Sequence, residues 1–180
     1  MKLFLIRHTK VNLAKGICYG QSDIRLADDF EEEALKIKNS LHPFSAIYSS
    51  PLQRCALLAQ TLAENNKNII YDDRLKELDF GKWEGKSWEA IQNTIDAKHW
   101  FNDYINTPCP HGESYRDLLA RISSFINELK QLPFDEVICI ITHGGAIRAF
   151  LAIINDISPL KIFETKIDYG QVIQINLQSY

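Results

Sequence analysis

No apolar run in this 180-residue chain approaches the ~18 residues that cross a bilayer, so no membrane span is predicted. Nothing at the start has the form of a secretory signal, because Leu3–Ile6 are followed at once by Arg7-His8. Charge of one sign is also lacking. Lys and Arg number 20 against 23 Asp and Glu, a net charge of −3 and a pI near 5.9. That balance argues against a general nucleic-acid surface or a polybasic membrane patch, while leaving room for a small positive pocket. Cysteines are few and scattered, at Cys18, Cys55, Cys109 and Cys139, with no Cys-x-x-Cys, so neither a zinc ribbon nor a redox pair is suggested. A chain of this length buries about two thirds of its unfolded surface and needs no staples, so a reducing, cytoplasmic setting is expected. The histidines, His8, His42, His99, His111 and His143, lack metal-ligand spacing, and neither a metal nor a cofactor is expected.

There is no repeat, low-complexity tract or Pro/Gly linker, which predicts a single domain over 1–180. Short apolar runs alternate with helix-like segments. Leu3–Ile6 reads as a buried strand, Ala46–Tyr48 and Ile69–Tyr71 as two more, and Val137–Ile141 as a central strand covered on both faces. Val172–Leu177 alternates like a final strand. Asp29–Leu41 reads as a helix with early Glu and later Lys, as the helix dipole prefers. Ser50-Pro51 reads as an N-cap and first helical residue for a helix over Leu52–Asn65. A helical insertion is expected at about 86–113. Ser114 and Asp117 cap a helix whose apolar face runs Tyr115, Leu118, Leu119, Ile122, Phe125, Ile126 and Leu129. Gly144-Gly145 lead into a helix through Ile154. The alternation implies an α/β fold of three layers, a mainly parallel sheet flanked by helices.

Ligands of such sheets bind beyond the carboxyl ends of the strands. Arg7 and His8 follow the first run, Ser49 and Ser50 the second with Arg54 one helical turn later, and Thr142, His143 and Gly144 the central one. Two arginines and two histidines therefore meet on one sheet edge. They suit phosphoryl transfer. Guanidinium forks match phosphate oxygens, a neutral imidazole is a nucleophile near pH 7, and N–H groups at a helix start near Gly144 add positive potential.

Four stretches, Leu5-Ile6-Arg7-His8-Thr9, Ser49-Ser50-Pro51-Leu52-Gln53-Arg54, Glu77-Leu78-Asp79-Phe80-Gly81-Lys82-Trp83-Glu84-Gly85 and Thr142-His143-Gly144-Gly145-Ala146-Ile147-Arg148, together resemble the histidine phosphatase superfamily, the phosphoglycerate mutase-like proteins, over nearly the whole chain. The resemblance implies His8 as nucleophile, Arg7, Arg54 and His143 as phosphoryl holders, and Glu77 as proton donor to the leaving oxygen and later activator of water. One departure stands out. The usual Gly-Glu-Thr after the histidine is absent, and Ala14 stands where an Asn is common, with Asn12 two residues off register.

Gly16–Leu26, with its Cys18-Tyr19-Gly20-Gln21, resembles a segment of alpha-ribazole phosphatases and implies Tyr19, Gly20 and Gln21 as leaving-group contacts. Glu113 recurs near the substrate in the family, so it is a further expected contact. The expected activity is thus metal-independent hydrolysis of a phosphomonoester, with alpha-ribazole 5′-phosphate first. A broad sugar or small-metabolite phosphatase, a phosphoglycerate mutase and a non-catalytic phospho-ligand module are the alternatives. A mutase must exclude water under a cover, and few residues remain after the last expected strand to build one. Trp88, Trp100, Phe101 and Tyr104 are either packing or a partial shield for an aromatic leaving group. Other phosphate and acyl chemistries lack their signatures. Gly81–Ser87 is one residue short of a P-loop, Cys18 to Arg25 and Cys109 to Arg116 are one too long for a cysteine phosphatase, and Gly20–Ile24 lacks the last glycine of a serine elbow.

Overall fold

The computed structural model describes residues 1–63, 68–133 and 135–177. Its elements run β1 (Lys2–Arg7), α1 (Phe30–Ser40), β2 (Ala46–Ser49), α2 (Gln53–Ala63), β3 (Ile69–Tyr71), α3 (Trp88–Gln92), α4 (Ile95–Asn102), α5 (Tyr115–Leu129), β4 (Val137–Thr142), α6 (Gly144–Ile154), α7 (Pro159–Ile162) and β5 (Val172–Asn176). The five strands form one sheet in the order β3-β2-β4-β1-β5. Strands β1, β2, β3 and β4 pair in parallel, and β5 runs antiparallel to β1 at the edge. This is the expected α/β fold.

Strand periodicity sorts the apolar residues between two cores. Leu3, Leu5, Ile138 and Ile140 pack with Ile122 and Phe125 of α5 and Phe150 of α6. Ile6, Ile47, Cys139 and Ile141 pack on the other face with Ala34 and Ile37 of α1 and Leu58 and Leu62 of α2. A strand such as β4 has to be apolar throughout because both its faces are covered, at roughly 2 kcal/mol of stabilisation per large side chain. Helix α5 starts in a full capping box: Ser114 Oγ accepts from the Asp117 N–H, and Asp117 Oδ2 accepts from the Ser114 N–H at 2.9 Å. Such a cap contributes about 1 kcal/mol.

One reading shifts. Helix α2 begins at Gln53 rather than Leu52, and Pro51 lies in a bend where the Ser50 hydroxyl accepts from the Leu52 N–H at 3.3 Å and also meets His143. The far end of that expected helix, at Asn65, lies outside the described residues. The insertion holds the two short helices α3 and α4, whose aromatics pack mainly on one another. The Trp100 ring lies 5.6 Å from Trp83, 5.1 Å from Phe101 and 5.7 Å from Tyr104, edge-on or tilted. All four cysteines are buried. Among the described residues no helix is long and apolar enough to cross a membrane.

Register aligns the strand ends that matter. Arg7 pairs with Thr142, and Ser49 with Ile141, so the carboxyl ends of β1, β2 and β4 open on one edge.

Candidate active site

His8 follows β1 directly and is buried, with its backbone N–H on the Thr142 carbonyl. Its Nδ1 lies 2.7 Å from the Thr9 carbonyl. A carbonyl only accepts, so Nδ1 carries the proton and Nε2 of the neutral ring keeps its lone pair. Burial, followed by the charges of Arg54 and Arg7, holds the His8 pKa well below 6.5. The His143 ring lies edge-on at 5.2 Å.

Arg54 is fully buried on the first turn of α2. It donates from Nε to His143 Nδ1 at 3.2 Å, from one terminal nitrogen to the Ser22 carbonyl at 2.7 Å, and from the other to the Gly20 carbonyl at 2.5 Å. Arg7 donates to the Ile167 carbonyl at 2.6 Å, while its Nε is buried without a hydrogen-bond partner. Among the described residues no carboxylate forms an ion pair with either guanidinium. One fully buried and one partly buried positive charge thus stand beside His8 with only neutral acceptors, an arrangement that is costly and that an anion relieves. Gly144, buried at the start of α6, lies against Arg7 and adds the N-terminus of that helix.

His143 caps α6 and has both ring nitrogens engaged. Nδ1 accepts from Arg54, so Nε2 carries the proton and lies 2.9 Å from Ser50 Oγ, with the Cys55 sulfur at 3.4 Å. Burial and the Arg54 charge hold its pKa well below 6.5. In this arrangement His143 orients Arg54, and a direct contact with an oxyanion requires Ser50 or Arg54 to yield.

Glu77 sits in the loop after β3. Its Oε1 accepts from the Leu78 N–H and its Oε2 from the Gly145 N–H, each at 3.0 Å. A second lone-pair position remains on each oxygen. A Cβ at Gly145 would push the Glu77 carboxylate out of this position. The Glu77 backbone is pinned as well. Arg121 donates to the carbonyls of Arg74, Lys76 and Glu77 at 2.6–2.8 Å and is itself gripped by both oxygens of Glu113. Glu113 thus spends its carboxylate on Arg121 and on the Asp79 N–H rather than on the cavity beside Glu77.

The Tyr19–Gln21 stretch is placed beside the site, with its polar groups committed. The Gln21 amide donates to the Glu77 carbonyl, and Glu84 accepts from the Gln21 and Ser22 N–H groups. Gly20 is so close to Glu84 and the Leu78 carbonyl that no side chain fits. The Tyr19 hydroxyl lies 2.7 Å from that of Tyr169, whose ring sits 5.5 Å from His8 and 3.9 Å from the Arg7 guanidinium. Asn12 and Ala14 are exposed. Sequence reasoning missed Tyr169, Arg121 and Glu84. Glu84 had a signal in its glycine-flanked loop, whereas Tyr169 lies in a stretch without periodicity.

One consequence is pH-dependent stability. The two histidines have native pKa values depressed below the unfolded value near 6.5, so their contribution is complete above that pH and is lost as pH falls below it. Each withholds a proton that the unfolded chain takes up, a slope of about 1.4 kcal/mol per pH unit. The urea midpoint is expected to fall between pH 6.5 and 5, and less steeply in His8→Gln. Equal slopes in both proteins would contradict the neutral-ring assignment.

Comparison with known proteins follows the same lines. The sequence profile of the histidine phosphatase superfamily (branch 1) matches residues 3–180. Phosphoserine phosphatase 1 of Hydrogenobacter thermophilus is 28% identical over 155 residues, covering 83% of this chain and 74% of that one. The alpha-ribazole phosphatase of Shigella flexneri shares the fold with a TM-score of 0.90, at 22% identity over 98% of this chain and 90% of its own. A phosphoserine phosphatase of Entamoeba histolytica, solved with 3-phosphoglyceric acid, gives 0.84 at 26% identity over 96% and 89%.

Proposed function

The chain belongs to the histidine phosphatase superfamily, and on that premise we propose that it hydrolyses phosphomonoesters through a phosphohistidine at His8. The observation that carries this reading is the pair of guanidinium groups, Arg54 fully and Arg7 partly buried and without carboxylate partners among the described residues, around an imidazole whose Nε2 holds a free lone pair. Arg7, Arg54 and the first N–H groups of α6 bind the phosphoryl oxygens and spread the charge that builds on them. The His8 Nε2 lone pair forms a bond to phosphorus as the ester P–O bond breaks. Glu77 gives its proton to the departing oxygen. The Glu77 carboxylate then takes a proton from water, whose oxygen attacks phosphorus, the N–P bond breaks, and inorganic phosphate leaves with His8 neutral again. His143 keeps Arg54 aimed.

Alpha-ribazole 5′-phosphate remains the substrate suggested by the Cys18–Leu26 segment and by the name of the Shigella neighbour, at an identity where the fold alone carries over. The segment's polar groups are spent on Arg54, Glu77 and Glu84, which any leaving group would require, so it discriminates little between esters.

The test is hydrolysis in excess EDTA of p-nitrophenyl phosphate, alpha-ribazole 5′-phosphate and 3-phosphoglycerate, with product analysis. Release of inorganic phosphate is expected. Conversion of 3-phosphoglycerate to its isomer without phosphate release would mean a mutase, and tight phosphate binding with no turnover of any ester would mean a binding module.

A further inference from the structure

Glu77 and Gly145 form one side of a cavity of about 110 Å3. Phe80, Trp100, Tyr115, Phe163 and Arg148 line much of the rest. These walls are largely apolar, yet two of them carry buried donors without acceptors. The Trp100 indole N–H and the Tyr115 hydroxyl are buried with no hydrogen-bond partner, in side chains 7% and 1% exposed. Arg148 donates from Nε to the Thr165 carbonyl at 2.9 Å, and among the described residues its terminal nitrogens have no carboxylate to pair with. Burial disfavours its charge, Glu77 counters this in part, and the nearby Arg7 charge adds to the cost. Unmade hydrogen bonds from buried donors are costly, and evolution retains them mainly where something else completes them.

The geometry points to a second anion subsite, in which Arg148, Tyr115 and Trp100 receive a carboxylate carried by the leaving group of the phosphomonoester. This rests on the phosphohistidine reading above, since it is Glu77's service to the leaving oxygen that puts the rest of that group in this cavity. Three features argue for it. The donors supply N–H and O–H only, matching an acceptor-only carboxylate. Arg148 keeps the two terminal nitrogens of its fork, the geometry that meets two carboxylate oxygens, and apolar walls strengthen such a contact. The volume is also small. A cavity of about 150 Å3 takes one benzene, so this one takes the few heavy atoms of a short hydroxy acid. A neutral fused-ring base with its ribose is larger than this volume and brings no negative charge to Arg148.

The experiment compares two esters of one three-carbon chain, 3-phosphoglycerate and glycerol 3-phosphate, with p-nitrophenyl phosphate reporting the His8 chemistry alone. In the wild-type protein kcat/KM is expected to favour the carboxylated ester by about 10²-fold. In Arg148→Met that ratio is expected to fall by at least about 10-fold, mostly through KM, and in Tyr115→Phe by less. The wild-type pair needs no variant, so a misfolded Arg148→Met leaves the test intact. Equal kcat/KM for the two esters, or a clear preference for alpha-ribazole 5′-phosphate over both, with p-nitrophenyl phosphate still turned over, overturns the subsite and leaves the phosphohistidine reading standing. No turnover of any ester overturns the reading beneath it, and the subsite with it.

Discussion

His8→Ala is expected to lose about 10⁴- to 10⁶-fold in kcat on any phosphomonoester, the scale on which deleting a covalent nucleophile acts. The reason is geometric. Nδ1 is tied to the Thr9 carbonyl, so Nε2 is the one nucleophilic atom between Arg7 and Arg54. The other imidazole, on His143, has both nitrogens occupied by Arg54 and Ser50 and is no ready substitute. Binding should survive the loss, because the guanidinium groups and the start of α6 stay in place. Inorganic phosphate or vanadate is therefore expected to bind His8→Ala with an affinity within about 10-fold of wild type, or 1.4 kcal/mol. Circular dichroism and the urea midpoint check that the variant is folded. A folded His8→Ala with substantial turnover would remove the covalent route, and loss of phosphate binding as well would move the role of His8 from attack to holding the cage.

Glu77→Gln separates the two half-reactions. An alkyl leaving group departs poorly without a proton, so hydrolysis of an alkyl phosphate is expected to fall by about 10²- to 10⁴-fold. p-Nitrophenolate leaves unprotonated. With that ester the variant is expected to release a burst of roughly one equivalent and then slow down, because water still needs Glu77 to attack the phosphohistidine. Glutamine retains an acceptor for the Leu78 or the Gly145 N–H but not both, at about 1–3 kcal/mol for the unmatched group. A general loss of position would lower both esters alike. Equal losses on both substrates, with no burst, would therefore deny Glu77 the acid role.

Much of this was legible in the sequence, for identifiable reasons. The runs Leu3–Ile6 in β1 and Val137–Ile141 in β4 are apolar throughout because helices cover both faces, and Arg7, His8, Thr142 and His143 stand out as polar residues directly past those runs. Helix α5 announced itself through its capping box and its period. The start of α2 lies one residue beyond the expected Leu52, where the Ser50 hydroxyl serves both the Leu52 N–H and His143, a tertiary partner that no local pattern shows. Helix α7 and Tyr169 lie in a stretch whose order comes from contacts distant in sequence: the Gly170 N–H reaches the His8 carbonyl, and the Arg7 N–H reaches that of Gln171. The same holds for Glu113. Its place before α5 suggested a substrate contact, but whether a carboxylate meets a ligand or an arginine depends on what α5 carries two turns later, and that is Arg121. Arg148 was visible only as the end of a motif. Its significance appears once Trp100 and Tyr115 are seen to share its cavity without partners of their own.

The claim that Nε2 of His8 takes the phosphoryl group is tested most directly by trapping. Glu77→Gln is mixed with p-nitrophenyl phosphate in excess EDTA, quenched in base during the burst, digested and sequenced by mass spectrometry. The account predicts a base-stable, acid-labile phosphoryl group on the peptide that begins the chain, localised to His8. A burst with that peptide unmodified, or with the phosphoryl group on His143 instead, would contradict it.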